Sequence, residues 1–97
     1  MAELRVVATI PAKPGSEEAL GGALSELAAA SRREEGCIAY ELFESAAQPG
    51  TFVTIETWRA KEDLDTHMKS EHMQNAVAVF GELLAGQPAI HPLTPMG

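Results

Sequence analysis

The sequence predicts a single α+β domain over residues 1–97, a ferredoxin-like βαββαβ fold whose antiparallel sheet carries its helices on one face. Three observations predict it. β-rich runs fill residues 4–10, 37–44 and 51–58, stretches with apolar residues at helical spacing follow the first and the third, and proline or glycine stands at the junctions.

The first strand is "LRVVATI", stopped by "PAKPG". Ser16 is a suitable N-cap and Glu17 and Glu18 suit the positive end of a helix dipole, while Leu20, Leu24, Leu27 and Ser31 recur on one face. Arg32 and Arg33 favour the negative end and Gly36 closes the segment, so a helix is expected over roughly residues 17–34. "CIAYELFE" and "TFVTIETW" then read as a hairpin around Pro49 and Gly50. From Lys61 the pattern is helical again, with Leu64, His67 and Met68 on one face and Met73, Ala76, Val77, Phe80, Leu83 and Leu84 on another, and Ser70 marks a break and a new cap. "AIHPL" closes the series as a short edge strand, since Pro92 cannot sit in the middle of a sheet.

The strands have apolar residues on both faces. Leu4, Val6, Ala8 and Ile10 alternate with Arg5, Val7 and Thr9, and Ile38, Tyr40 and Leu42 alternate with Cys37, Ala39 and Phe43. Two helices cover one face, so the other is expected to meet a second copy, giving a homodimer with a barrel at its centre; a monomer with a moderately apolar open face is the alternative.

Composition narrows the function. Apolar residues make up 45% of the chain and charged residues 22%, a globular mix, and the formal net charge of -7 repels a polyanion, so nucleic acid is not an expected partner. No apolar run reaches membrane-spanning length and the start lacks a signal-peptide pattern, so no membrane partner and a cytoplasmic location are expected. Cys37 is the single cysteine, which fits a reducing compartment. There is no GxGxxG, CxxC or HExxH, so no cofactor and no metal are expected from motifs.

"EEGCIAYELFE", "FVTIETW" and "LDTHMKSEHM" together resemble the antibiotic biosynthesis monooxygenase family: an acidic residue and glycine before the second strand, an aromatic within it, Glu56 and Trp58 closing the third, then a histidine, a serine and a second histidine. The match runs from Glu34 to about Met73 and is most similar to the quinol monooxygenase-like members. The resemblance implies a dimeric α+β barrel that oxidises a quinol, anthrone or similar polyphenol with O2 and without flavin or metal. It departs from the pattern at Ala60, where a Ser or Thr cap often opens the helix. Haem-degrading members of the superfamily use an asparagine on strand one, a tryptophan on the helix after strand three and an iron-binding histidine further on. Here "VVATI" has no asparagine, His67 takes the tryptophan place and the ligand place falls near Val77, so that mechanism is disfavoured.

A deprotonated phenol or enol is electron-rich enough to reduce O2, so such a site needs an apolar pocket, a base and anion stabilisation. His67, on an apolar helix face, is the candidate base; a core histidine is the competing reading. His72 lies five residues on, about 140° away around a regular helix, so it is expected to be peripheral and to share no metal with His67 unless the helix breaks at Ser70. Tyr40, Glu56, Trp58 and His72 are candidate substrate-binding residues. Each has a structural alternative: Tyr40 a buried hydroxyl with any partner, Glu56 a salt bridge with a helix or a second subunit, Trp58 a core or interface anchor. Arg59 is expected to be solvated and Cys37 to be a small buried hydrophobe. Two further readings remain open at this level, a non-catalytic dimeric module that binds a small apolar ligand and an isomerase or decarboxylase.

Overall fold

The computed structural model describes residues 3–97. The elements run β1 (Leu4–Pro11), α1 (Glu17–Arg32), β2 (Cys37–Glu44), β3 (Thr51–Trp58), α2 (Lys61–Met68), α3 (Glu71–Phe80) and β4 (Ala89–Leu93). The four strands form one antiparallel sheet in the order β2-β3-β1-β4, with the short proline-containing β4 at an edge beside β1. This is the expected ferredoxin-like α+β arrangement, with the second helical stretch divided in two.

The division falls at Ser70. Its backbone is extended, its side chain accepts a hydrogen bond from the Met73 N–H, and its hydroxyl donates to the His67 carbonyl at 2.6 Å, so one residue closes α2 and opens α3. Ser16 occupies the N-cap position of α1, but its side chain makes no capping bond; Glu17 instead accepts from the Gly15 N–H. Ala60 likewise opens α2 without a side-chain cap.

On the helix side, Val6, Ala8 and Ile10 of β1 and Phe52, Thr54, Glu56 and Trp58 of β3 are all buried. The expected alternation of β2 fails at its start. A bulge between Cys37 and Ala39 turns Cys37 to the same side as its register partner Trp58 and leaves Ile38 half exposed, away from Tyr40 and Leu42. The buried apolar residues gather in two clusters. Ile10, Leu20, Leu24, Leu27, Phe52 and Phe80 form one, and Val6, Ala28, Tyr40, Trp58 and Leu64 form the other. Ala8 and Thr54, cross-strand partners in mid-sheet, carry small side chains where the two clusters adjoin.

The opposite face has no helix. The register places Phe43, Val53, Ile55, Val7 and Leu93 there together with Arg5, Glu41 and His91, and Phe43 and Leu93 are more than two-fifths exposed. No helix is long and apolar enough to cross a membrane among the described residues.

Leu24 on α1 is 1% exposed and sits in the larger cluster. Leu24→Ala is expected to destabilise the fold by about 2–5 kcal/mol through lost burial and a residual cavity, read as a lower urea midpoint with an unchanged slope.

Candidate active site

A cavity of about 180 Å³ lies between the sheet and the helices. Its walls are mostly apolar, from Ala8, Ile10, Leu27, Leu64, Met73 and Phe80, with Tyr40, Thr54, Glu56 and His67 as the converging polar side chains. Met68, Val77 and Ile90 line it too and are substantially exposed.

His67 is fixed by its place in the last turn of α2. It is 2% exposed, and its ring lies against Trp58 with centroids 4.6 Å apart and against Tyr40 at 5.9 Å. Its Nδ1 is 2.6 Å from Oε2 of Glu34, which stands in the short connection between α1 and β2. That connection is itself pinned, since the Glu34 N–H donates to the Ser31 carbonyl and the Glu34 carbonyl accepts from the Cys37 N–H. An ionised carboxylate can only accept, so it selects the imidazole tautomer with the proton on Nδ1 and leaves the Nε2 lone pair available.

His72 reaches the same atom. The break at Ser70 redirects the chain, and the first turn of α3 brings His72 Nε2 to 2.7 Å from Glu34 Oε2. The regular-helix geometry that separates the two imidazoles by 140° therefore does not apply, and their centroids are 5.9 Å apart. His72 is peripheral in another sense. Its side chain is 29% exposed and faces a groove between α1 and α3 rather than the main cavity.

Glu56 makes no salt bridge with a helix side chain or any other cation among the described residues. Its Oε2 accepts from the Thr54 hydroxyl at 2.7 Å and its Oε1 from the Trp58 indole N–H at 2.9 Å. Because the three residues alternate along β3, a period-two strand delivers both donors to the carboxylate. Trp58 is fully buried and does not line the cavity; it backs His67 and holds Glu56. Arg59 is exposed but paired, with Asp63 at 2.8 Å and Glu35 at 3.7 Å, and that guanidinium holds the Asp63 carboxyl below its usual range.

Burial pushes the Tyr40 phenol well above its usual range, and the Glu56 carboxylate pushes it further the same way. Tyr40 is therefore a proton donor at neutral pH and not a base. The Cys37 thiol is raised by burial and then by the Glu34 and Glu56 carboxylates, which keeps it from acting as a thiolate nucleophile.

Of the five expected site residues, the structure brings Tyr40, Glu56 and His67 to the cavity wall and sets Trp58 and His72 behind it. Glu34 is the residue that sequence reasoning missed in a functional role, although "EEG" before the second strand was part of the resemblance.

A family model described as antibiotic biosynthesis monooxygenase matches residues 4–79. The Mycobacterium tuberculosis protein named "Putative monooxygenase Rv0793" is 36% identical over 91 residues, covering 94% of this chain and 89% of that relative. Its solved structure superposes with a TM-score of 0.91 at 34% identity, covering 99% of this chain and 97% of that one. The Bacillus subtilis protein named "Putative monooxygenase YcnE" is 36% identical over 78 residues, covering 80% of this chain and 82% of the relative. The crystal structure of PA3566 from Pseudomonas aeruginosa matches with a TM-score of 0.91 at 34% identity, over 100% of this chain and 97% of its own.

Tyr40 is the single tyrosine, so its titration can be followed directly by ultraviolet absorbance. The native protein is expected to show no tyrosinate at pH 10, where the unfolded chain is half ionised. A raised native pKa means that the unfolded state loses its proton first, so Tyr40's contribution to stability is complete below about pH 10 and is lost progressively above it. Trp58→Phe keeps most of the ring but removes the donor to Glu56 Oε1. It is expected to cost about 1–3 kcal/mol in denaturant unfolding, because a buried carboxylate oxygen loses its partner.

Proposed function

The chain belongs to the antibiotic biosynthesis monooxygenase family, and from that premise we propose that it is an oxygenase for an electron-rich quinol, anthrone or related polyphenol, using O2 with no flavin and no metal. The observation that carries this reading is the Glu34–His67 pair. A carboxylate 2.6 Å from Nδ1 orients a buried imidazole whose ring forms part of the wall of an apolar cavity.

In this mechanism the substrate enters between the two core clusters and gives its hydroxyl proton to His67 Nε2. Glu34 stabilises the imidazolium that forms, as an orienting carboxylate does for a catalytic histidine. Tyr40, kept protonated, donates toward the substrate oxygen that acquires negative charge. The apolar wall excludes water while the anion passes an electron to O2 and the resulting pair recombines. The electron count closes without a separate reductant. Converting a ring CH2 to a carbonyl releases four electrons, which reduce one O2 to the carbonyl oxygen and one water.

The same proposal includes a homodimer through the helix-free face. Phe43, Val53, Ile55, Val7 and Leu93 give that face an apolar centre, and a second copy packing sheet against sheet would bury it.

Oxygen uptake by metal-stripped protein against a panel of reduced quinols and anthrones tests the chemistry. Activity above autoxidation is expected, and His67→Ala should lower kcat by a factor of about 10²–10⁴. Glu34→Gln should lower kcat with little change in KM, since it removes charge from behind the imidazole and not from the cavity. Ligand-induced thermal stabilisation with no turnover anywhere on the panel would make the protein a binding module instead. Sedimentation is expected to give a dimer that Ile55→Asp converts to a folded monomer.

A further inference from the structure

The triad has a second use, and we propose that Glu34, His67 and His72 form a binding site for a divalent transition-metal ion of the zinc class. The donor set is two imidazole nitrogens and one carboxylate oxygen, His67 Nδ1, His72 Nε2 and Glu34 Oε2, all within 4.8 Å of one another. Two histidines and one carboxylate with an open position suit borderline cations such as Zn2+ and Co2+.

Charge is the second, independent observation. Glu34 is 14% exposed, and its ionic partners among the described residues are the two histidines alone; the nearby Arg59 is committed to Glu35 and Asp63. No lysine or arginine pairs with this largely buried carboxylate among the described residues, and a cation between the three side chains would sit directly against it. The chain's net charge of -7 also draws cations to its surface.

Access and geometry agree. His72 opens to solvent at 29% exposure while His67 is closed at 3%, so an ion arrives from the groove between α1 and α3 and not through the substrate cavity. The present N···O separations of 2.6 and 2.7 Å are hydrogen-bond lengths. Tetrahedral coordination sets adjacent donors about 3.3 Å apart, so the Glu34 carboxylate moves back from both nitrogens, and the two imidazole nitrogens, which lie within 4.8 Å of each other, settle to the same separation as the ion enters. The two protons now shared with Oε2 move to the opposite ring nitrogens.

That relocation has a consequence for the cavity. A metal on His67 Nδ1 forces the imidazole proton onto Nε2, so the nitrogen left for substrate changes from acceptor to donor and can no longer take a proton. Loss of the base rests on the function proposed above; the binding does not.

Calorimetric titration of Zn2+ into the metal-stripped, full-length protein tests the site. One ion per chain is expected with a Kd of about 1 μM or tighter. His72→Ala and Glu34→Gln should each weaken it at least tenfold, with folding checked by circular dichroism, while His91→Ala, on the other face of the sheet, should leave it unchanged. Co2+ should give the visible absorption bands of a four-coordinate ion. No binding heat and no cobalt spectrum from folded protein, or equal affinity in His72→Ala, overturns the site. With a substrate that supports oxygen uptake, saturating Zn2+ should abolish turnover, and undiminished turnover overturns the effect on the base. Failure to find any turnover counts against the proposed oxygenase alone, and calorimetry still decides the metal.

Discussion

One carboxylate oxygen organises this molecule's functional end. Glu34 Oε2 receives a histidine from each of two consecutive helices, and through them it ties α2 and α3 to the connection between α1 and β2. These are short helices of 8 and 10 residues, below the length at which helices stand alone in water, so their placement depends on tertiary contacts. Apolar packing through Leu64 and Phe80 supplies burial but little direction. Two charge-assisted hydrogen bonds to a single atom supply direction, because they hold only when the break at Ser70 has the right angle.

The cavity follows from a similar economy in the sheet. Large apolar residues fill both ends of the helix side, Trp58 and Val6 at one and Phe52 and Ile10 at the other, and the middle carries Ala8 and Thr54. Small side chains between two well-packed clusters leave space that neighbouring residues cannot collapse into without breaking the sheet register. The polar group placed there is satisfied beforehand. Both oxygens of Glu56 are engaged by donors from its own strand, so its burial carries no unpaired acceptor, and no buried side-chain nitrogen or oxygen among the described residues lacks a partner.

Most of the fold was legible because its signals are local. Period-two strands, the capping chemistry of Ser70 and the proline that sends β4 to an edge each act within a few residues. The bulge after Cys37 was not legible, since the one glycine beside it, Gly36, reads equally well as the stop of the preceding helix. The site was half legible. His67, Tyr40 and Glu56 declared themselves as polar residues in apolar periodic stretches, whereas Glu34 sits 33 and 38 residues from the histidines it joins, among other charges that look solvated. The partners of Glu56 within its own chain were hidden for a related reason. A lone buried carboxylate invites a cationic partner, and the indole and hydroxyl on its own strand do the work without one.

The titratable groups around the cavity can be separated by what each already does. Tyr40 holds its proton because it is buried and faces a carboxylate, so it can give a hydrogen bond but cannot accept a proton from a phenol. Glu56 has each oxygen held by a donor from its own strand, the Thr54 hydroxyl on one and the Trp58 indole N–H on the other, which fixes its orientation in the wall. His67 has one nitrogen committed to Glu34 and a second that remains basic in the resulting tautomer. A carboxylate behind the ring lowers the cost of the imidazolium when it forms, which neither of the other groups is arranged to do. For the proposed oxygenase, the residue best suited to start the chemistry is thus the one whose other side is anchored outside the cavity.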